Sequence, residues 1–400
     1  MRILALNSGS SSIKSALIDR ADESVLFDFQ IKNIGGASRL VDSLSERDLG
    51  ALTFAQATTS ILDEVRKRLT PSLAIDAVVH RIVHGGDRFT EPTIVNDSVL
   101  EAIGKLDALA PLHNPPAVAM LKAARACFAR VPHVAAFDTA FHHTLPARAR
   151  EYALPRNIAN EHGLHRYGFH GLNYAHVTRA AANHLRKTPQ ELRIVACHLG
   201  NGASMTAIEF GRSVETSMGF TPLEGLVMGT RSGDVDPGIL LTLLRLPSFD
   251  AERLDRMLNF ESGLQGLTGA FDFAAIERRA AQGDEACLLA IDIYAHRIRK
   301  YIGAYTAVMG GVDAIAFSGG VGEHSALVRH RASHKLEYLG AVLDAERNRE
   351  ARLSETQRVI DVAADSSRVR LLVVRADEEA QMVREAAALL EKGARPPDSD

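Results

Sequence analysis

Cysteine is scarce in this chain: the three that occur, Cys127, Cys197 and Cys287, lie far apart and form no CxxC pair. That spacing argues against a disulfide framework and a cysteine-rich metal site, and it suits a reducing, cytoplasmic compartment. Charge of one sign is not in excess either. Lys and Arg number 46 against 49 Asp and Glu, a formal net charge of -3, so neither nucleic acid nor an anionic membrane is an expected partner. Long apolar runs are missing, and nothing approaches the roughly 20 residues of a membrane span. The opening MRILALNSGSSS has one arginine and an apolar run of only four residues, too short for a signal peptide. No GxxxxGK[ST] occurs, which excludes a Walker A loop, and no HExxH occurs, which leaves His142-His143 and the His165/His170 pair without a zinc spacing.

What is present is an ordinary globular composition, 46% hydrophobic and 24% charged over 400 residues, long enough for two domains. The opening ILALNSGSSSIKSALID reads as strand, tight turn, strand. The same pattern returns from Ile194 as IVACHLGNGASMTAIEF. Two such hairpins at half-chain separation suggest a duplicated architecture. Helical spacing marks TFAQATTSILDEVRKRL, through Phe54, Ile61, Val65 and Leu69, and Glu285 to Val308, through Leu288, Ile291, Ile298, Ile302 and Tyr305. VDAIAFSGGVGEH reads as a buried strand entering a Gly-rich turn, and RVRLLVVRADEEAQMVREAAALL as strand, loop and final helix. Alternating strands and helices indicate an α/β protein. A boundary near Tyr152-Pro155 gives an N-terminal α/β domain over 1–150, joined by a C-terminal helix over 378–392. A C-terminal nucleotide-binding α/β domain follows over 151–377, and 393–400 is expected to be a flexible tail.

Three glycine turns each leave an apolar strand. Asn7-Ser8-Gly9-Ser10-Ser11-Ser12-Ile13-Lys14 lets backbone N–H groups approach phosphate oxygens, with Lys14 adding charge, although it also reads as a plain Ser-rich turn. His198-Leu199-Gly200-Asn201-Gly202 is the second, and Ser318-Gly319-Gly320-Val321-Gly322-Glu323 is the third. Together they suit a nucleotide at strand ends. Charged residues sit in similar company. Arg81 lies in HRIVHGG, Asp138 in AFDTAFHH, His170 in RYGFHG and Arg231 in MGTRSGD. Each alone is most simply structural, but charges in Gly-rich, apolar-flanked loops read as binding groups.

In NSGSSSIK, HRIVHGG, APLHNPP, FDTAFH, RYGFHG, CHLGNG, ETSMGFTPLEGLVMGTR, SGGVGE and ADEEA, in that order, the chain resembles the acetate kinase family from Met1 to about Leu390. The resemblance implies a duplicated two-domain fold similar to the sugar kinase, Hsp70 and actin group, with nucleotide in the interdomain cleft, and a homodimer. It implies reversible phosphoryl transfer from ATP to acetate, giving acetyl phosphate and ADP, with Mg²⁺ as cofactor and Mn²⁺ as its substitute. Propionate or another short acid is the alternative acceptor. A non-catalytic nucleotide switch of the actin or chaperone kind is a distant one.

By matching position the resemblance makes Asn7 and Glu378 the Mg²⁺-associated residues. Lys14, Ser10 and Ser12 would neighbour the nucleotide phosphates, and Arg81 would hold the carboxylate. Asp138, His170 and Arg231 would be the other active-site residues. The ATP site would be lined by His198, Leu199, Gly200, Asn201 and Gly202, by Asp272, Phe273 and Ala274, and by Gly320, Val321, Gly322, Glu323 and His324. Val83, Leu112, Phe169 and Pro222 would form an apolar pocket beside Arg81 for the acid's methyl group. The chain departs from the family pattern at three places: His324 replaces Asn, Ala274 replaces the Arg of Asp-Phe-Arg, and Leu172-Asn173-Tyr174 replaces Thr-Ser-His. The first two bear on nucleotide affinity.

Overall fold

A computed structural model of the chain describes residues 1–393 apart from 10, 44, 108 and 112. Ser10 and Leu112, and the tail beyond residue 393, therefore lie outside the described residues. The chain forms two units, one of Met1–Phe141 with the segment from Asp377 onward, the other of His142–Ala376. The first boundary lies before residue 150 because the His142 ring belongs to the second unit. Its Nδ1 lies 2.8 Å from Ser213 Oγ and its Nε2 lies 3.0 Å from the Phe169 carbonyl.

The first unit carries β1 (Arg2–Ser8), β2 (Ile13–Asp19), β3 (Val25–Lys32), β4 (Ala37–Val41), β5 (Glu46–Ala51), β6 (Ala77–Ile82), β7 (Thr93–Ile94) and β8 (His133–Phe137). They form one sheet in the order β5-β4-β3-β2-β1-β6-β8-β7. The second unit carries β9 (Arg193–Leu199), β10 (Ala203–Glu209), β11 (Arg212–Thr216), β12 (Ala314–Ser318), β13 (Val359–Asp361) and β14 (Arg370–Val374), in the order β11-β10-β9-β12-β14-β13.

The two orders are the same topology written twice. β1 pairs antiparallel with β2 and parallel with β6, β6 runs parallel to β8, and β7 pairs antiparallel with β8. β9, β10, β12, β14 and β13 repeat those relations one for one. The duplication read from the two hairpins is thus a duplication of sheet topology. β4 and β5 extend the first sheet only. Central parallel strands such as β12 are buried along their whole length, as continuous apolar runs require.

Local signals place the helices. Thr53 and Gln56 form a capping box at the start of the helix Phe54–Arg68, which buries Ala57, Ile61, Leu62 and Val65. Asp284 caps the helix Glu285–Met309, and Gly310, at φ +65°, ends it. Asp377 caps the final helix Glu378–Glu391, which packs on β1, β6 and β8. The third glycine segment differs from expectation. Residues Gly319–His324 form a short helix straight off β12, not a turn. Gly319 makes this feasible: its φ is +77° and a Cβ there would stand 2.8 Å from the Leu199 carbonyl oxygen.

Candidate active site

Each unit gathers its chemistry at the carboxyl ends of its parallel strands, where open α/β sheets bind ligands. In the first unit Arg81 is the penultimate residue of β6, Asn7 lies at the end of β1, and Asp138 follows β8 directly. Arg81 Nη2 donates to Asp138 Oδ2 at 2.6 Å, and Nε donates to Oδ1 and Oδ2 at 3.0 and 3.1 Å. Its Nη1 donates to Asn7 Oδ1 at 3.1 Å and stands 3.7 Å from Glu378 Oε2. Asn7 Nδ2 donates to Glu378 Oε2 at 3.2 Å and to Glu379 Oε1 at 2.8 Å. Lys14 Nζ, half exposed, lies 3.9 Å from Glu379 Oε1. The final helix therefore delivers two carboxylates to a set otherwise built by the first 140 residues.

Burial works against the Arg81 charge, but Asp138 and Glu378 outweigh it and hold the guanidinium pKa above its ordinary value. Burial raises the Asp138 carboxyl pKa above its ordinary value, and Arg81 only partly offsets that. The bidentate geometry is that of an ionised pair. Both Asp138 oxygens accept from Arg81 and hold the guanidinium in place. Val83 is buried just beyond β6. His84 beside it is tied by Asn114, whose side chain accepts from the His84 N–H and donates to the His84 carbonyl, each at 3.1 Å. Ser12 closes the first turn, its carbonyl accepting from Gly9 N–H at 2.8 Å.

In the second unit the centre is Gly202. A Cβ built there would lie 3.1 Å from Arg231 Nη2 and 3.6 Å from His170 Nε2, so both side chains converge on one point. His170 holds the left-handed conformation, φ +59°, as N-cap of the helix Gly171–His184. It stacks on His198 with ring centroids 4.3 Å apart. Arg231 Nη1 donates to the Pro222 carbonyl at 2.7 Å. No carboxylate lies within ion-pair distance of Arg231 among the described residues, and burial alone lowers its pKa. Phe169 is buried, its carbonyl facing His142 Nε2. Gly229 fits against Asn201, whose Oδ1 a Cβ would overlap.

A separate cavity of about 450 Å³ in this unit is lined by Gly200, Asn201, Asp272, Phe273, Ala274, Gly320, Val321 and His324, and also by Leu264, Phe271, Glu277 and Ser325. The first eight were expected at the nucleotide; the last four were not. Glu277 accepts from Ser325 Oγ at 2.6 Å across its floor, and Phe271 is exposed at its rim. Five other expected lining residues stand elsewhere. His198 stacks on His170, and Gly202 faces Arg231. Leu199 and Gly322 are fully or nearly buried in the joint between β9 and the helix Gly319–His324. Glu323 bolts the loop by accepting from Gly319 N–H at 3.1 Å and Ala376 N–H at 2.9 Å. Asp272 also caps the helix Phe273–Ala281, accepting from Ala275 N–H at 3.1 Å.

Sequence reading missed Glu379, Ser204 and Tyr174 as well. Glu379 was visible in the acidic pair that opens the last helix, but Ser204 and Tyr174 look like ordinary strand and helix residues. Among the described residues no three His, Cys, Asp or Glu side chains form a ready metal cage, and no helix is long and apolar enough to cross a membrane.

The profile of the Acetokinase family matches residues 2–384. Acetate kinase of Clavibacter michiganensis subsp. michiganensis is 48% identical over 395 residues, spanning 96% of this chain and 98% of the relative. Acetate kinase of Thermotoga sp. strain RQ2 is 45% identical, spanning 98% and 99%. In three dimensions, the acetate kinase of Porphyromonas gingivalis superposes with a TM-score of 0.89 at 35% identity over 97% of this chain and 99% of that one. A propionate kinase of Francisella tularensis subsp. tularensis superposes with a TM-score of 0.88, also at 35% identity, over 96% and 98%. With a family match across nearly the whole length and relatives this similar at full coverage, the chain belongs to the acetokinase family.

Proposed function

We propose that this protein moves the γ-phosphoryl group of ATP reversibly onto a short-chain carboxylate, acetate first, giving acetyl phosphate and ADP. The observation that carries the reading is Arg231: a half-buried guanidinium with no carboxylate within ion-pair distance among the described residues, standing with His170 Nε2 beside Gly202. A guanidinium partly shielded from water with no carboxylate beside it is costly unless an anion answers it, and a transferring phosphoryl group is such an anion. A carboxylate is ionised at neutral pH and needs no general base. Its oxygen forms the new bond to phosphorus as the bond to the ADP oxygen breaks. The chain's residues then supply alignment and positive charge. In this reading Arg231 and His170 take the phosphoryl oxygens. Arg81, fixed by Asp138 and Asn7, orients the acid. The 450 Å³ cavity takes the nucleotide.

The first unit's donors fit Mg²⁺. Asn7, Glu378 and Glu379 are hard oxygen ligands, and Mg²⁺ is ordinarily held by one or two carboxylates plus substrate phosphates. Lys14 and Arg81 against Asp138, Glu378 and Glu379 leave this set with one net negative charge. An incoming anion meets less repulsion once a divalent cation joins it. When bound, Mg²⁺ would neutralise phosphate charge there, with Asn7 and Glu378 beside it.

The F. tularensis propionate kinase is as similar in structure as the P. gingivalis acetate kinase, and one methylene is worth only about 1–3 kcal/mol in a pocket. Comparing kcat/KM for acetate, propionate and butyrate by hydroxamate capture of the acyl phosphate tests both readings. Acetate should lead. Hydroxamate from no acid would defeat the proposal in favour of an acceptor-free nucleotide switch. We also propose a cytoplasmic homodimer. The unpaired cysteines support the compartment, and the exposed Ile239, Leu241, Leu244 and Leu246 support an apolar subunit contact.

A further inference from the structure

Ser204 lies on β10 opposite His198 of β9 and is fully buried. Its hydroxyl touches two side chains: His170 Nδ1 at 2.8 Å and the Tyr174 hydroxyl. Both partners come from one helix end, His170 as the N-cap and Tyr174 one turn further in. Tyr174 is also fully buried. Burial pushes its phenol pKa up, against the hydrogen bonds of Ser204 and Thr206, so the phenol keeps its proton.

Proton counting then leaves two orders for the chain. A hydroxyl donates once, and a neutral imidazole carries one N–H. If Tyr174 donates to Ser204 and Ser204 donates to His170 Nδ1, the imidazole proton must sit on Nε2. Nε2 is the atom that flanks Gly202 beside Arg231 Nη2. The opposite order would place a lone pair at that face, where it would repel phosphoryl oxygens.

We propose that Ser204, backed by Tyr174, is the positioning residue that holds His170 as an Nε2–H donor toward the transferring phosphoryl group. This rests on the placement of that group at Gly202, but the proton's position on the ring is measurable without turnover.

The test pairs ¹⁵N NMR of the histidine rings in the full chain with steady-state kinetics. His170→Asn identifies the His170 signals among the sixteen histidines. In the wild type His170 Nδ1 should show as the unprotonated nitrogen and Nε2 as the protonated one. Ser204→Ala should mix or reverse that pattern and lower kcat about tenfold or more, with KM for ATP and acetate within about twofold. Ser204→Thr, which keeps the hydroxyl, should restore the tautomer and most of kcat. A wild-type tautomer in Ser204→Ala overturns the proposal whatever the rate. Should that variant fail to fold, the wild-type spectrum still decides: a His170 ring protonated on Nδ1 and bare on Nε2 overturns the proposal. Failure of the carboxylate-kinase reading would look different: no hydroxamate from any acid, with the Nε2–H tautomer intact.

Discussion

Adding one methyl group at Gly202 should separate catalysis from folding in this protein. The Cβ of Gly202→Ala would meet Arg231 Nη2 at 3.1 Å and His170 Nε2 and Cε1 at 3.6 and 3.7 Å. The last two are ordinary contacts, but the first forces the guanidinium to yield by a few tenths of an ångström. Arg231 is anchored on its other nitrogen, 2.7 Å from the Pro222 carbonyl, so yielding stretches a charged hydrogen bond worth about 1.5–3 kcal/mol. The methyl also fills the point on which both donors converge. A displacement of about 1 Å can cost about 10²-fold in rate, so a smaller shift with partial blockage should lower kcat about 10- to 100-fold. The backbone gives no reason for instability, because Gly202 is not among the glycines at positive φ. Replacing a glycine in ordinary conformation stabilises by about 0.4–1 kcal/mol. The expected result in the hydroxamate assay is therefore a large loss of kcat with an unchanged or slightly raised Tm. ADP affinity should stay within about threefold, since the cavity is lined by Gly200 and Asn201 and not by Gly202. A kcat within twofold of wild type would remove the phosphoryl group from this face. A fall of several degrees in Tm would mean that Gly202 is there for the fold.

Arg231→Ala should lose about 10²–10³ in kcat, and Arg231→Lys most of that, because an ammonium cannot hold both the Pro222 carbonyl and a phosphoryl oxygen as a planar fork can; a Lys variant with near-normal kcat refutes the geometry. Asp138→Asn breaks a buried pair and should cost about 3–5 kcal/mol in urea unfolding, with kcat falling but the pH dependence of kcat unchanged; a lost acid limb would instead make Asp138 a proton acceptor. Glu385→Gln should stabilise at alkaline pH. Burial raises the Glu385 pKa from 4.5 to about 7, so the folded state binds the extra proton and stability falls as pH rises through that window, by at most about 3 kcal/mol and less for residual exposure. The variant should match wild type at pH 4 and exceed it at pH 8, and equal urea midpoints at pH 8 would exclude the effect.

What was legible in the sequence was whatever short-range pattern dictates. The strand-turn-strand segments at Ile3 and Ile194 fold as hairpins β1–β2 and β9–β10, and the apolar spacing after Glu285 becomes a single 25-residue helix. The Gly319 to Glu323 segment misled because glycine disfavours helix by about 1 kcal/mol per residue. Packing on β9 and the Glu323 bolts override that preference, and neither is visible locally. The site divides in the same way. Arg81 and Arg231 announce themselves by sitting in glycine loops. That Arg81 is ringed by carboxylates from 57 positions away and from the last helix, while Arg231 meets a carbonyl and, among the described residues, no carboxylate, is a property of topology. Leu199, Gly322 and Glu323 share their motifs with true cavity residues, and alternation along β9 and the turn of the following helix sends them inward instead.

The unequal company of the two arginines bears on the metal. Arg81 and Lys14 face three carboxylates, so the first unit's set is a net anion, poorly disposed to a second anion on its own. Neutralising one carboxylate should weaken the set's hold on a divalent cation without removing the arginine. Glu378 is the one to change, since it stands 3.7 Å from Arg81 and accepts from Asn7 at 3.2 Å, while the bidentate Asp138 contact survives. In Glu378→Gln the Mg²⁺ concentration for half-maximal rate should rise about tenfold, equivalent to about 1.4 kcal/mol. Chelation should abolish turnover in wild type and variant alike. Titrating Mg²⁺ at fixed ATP in the hydroxamate assay reads this directly. If the variant loses Tm while its Mg²⁺ requirement stays put, Glu378 merely braces Arg81, and the cation's protein ligand must be sought elsewhere among the acidic residues of the first unit.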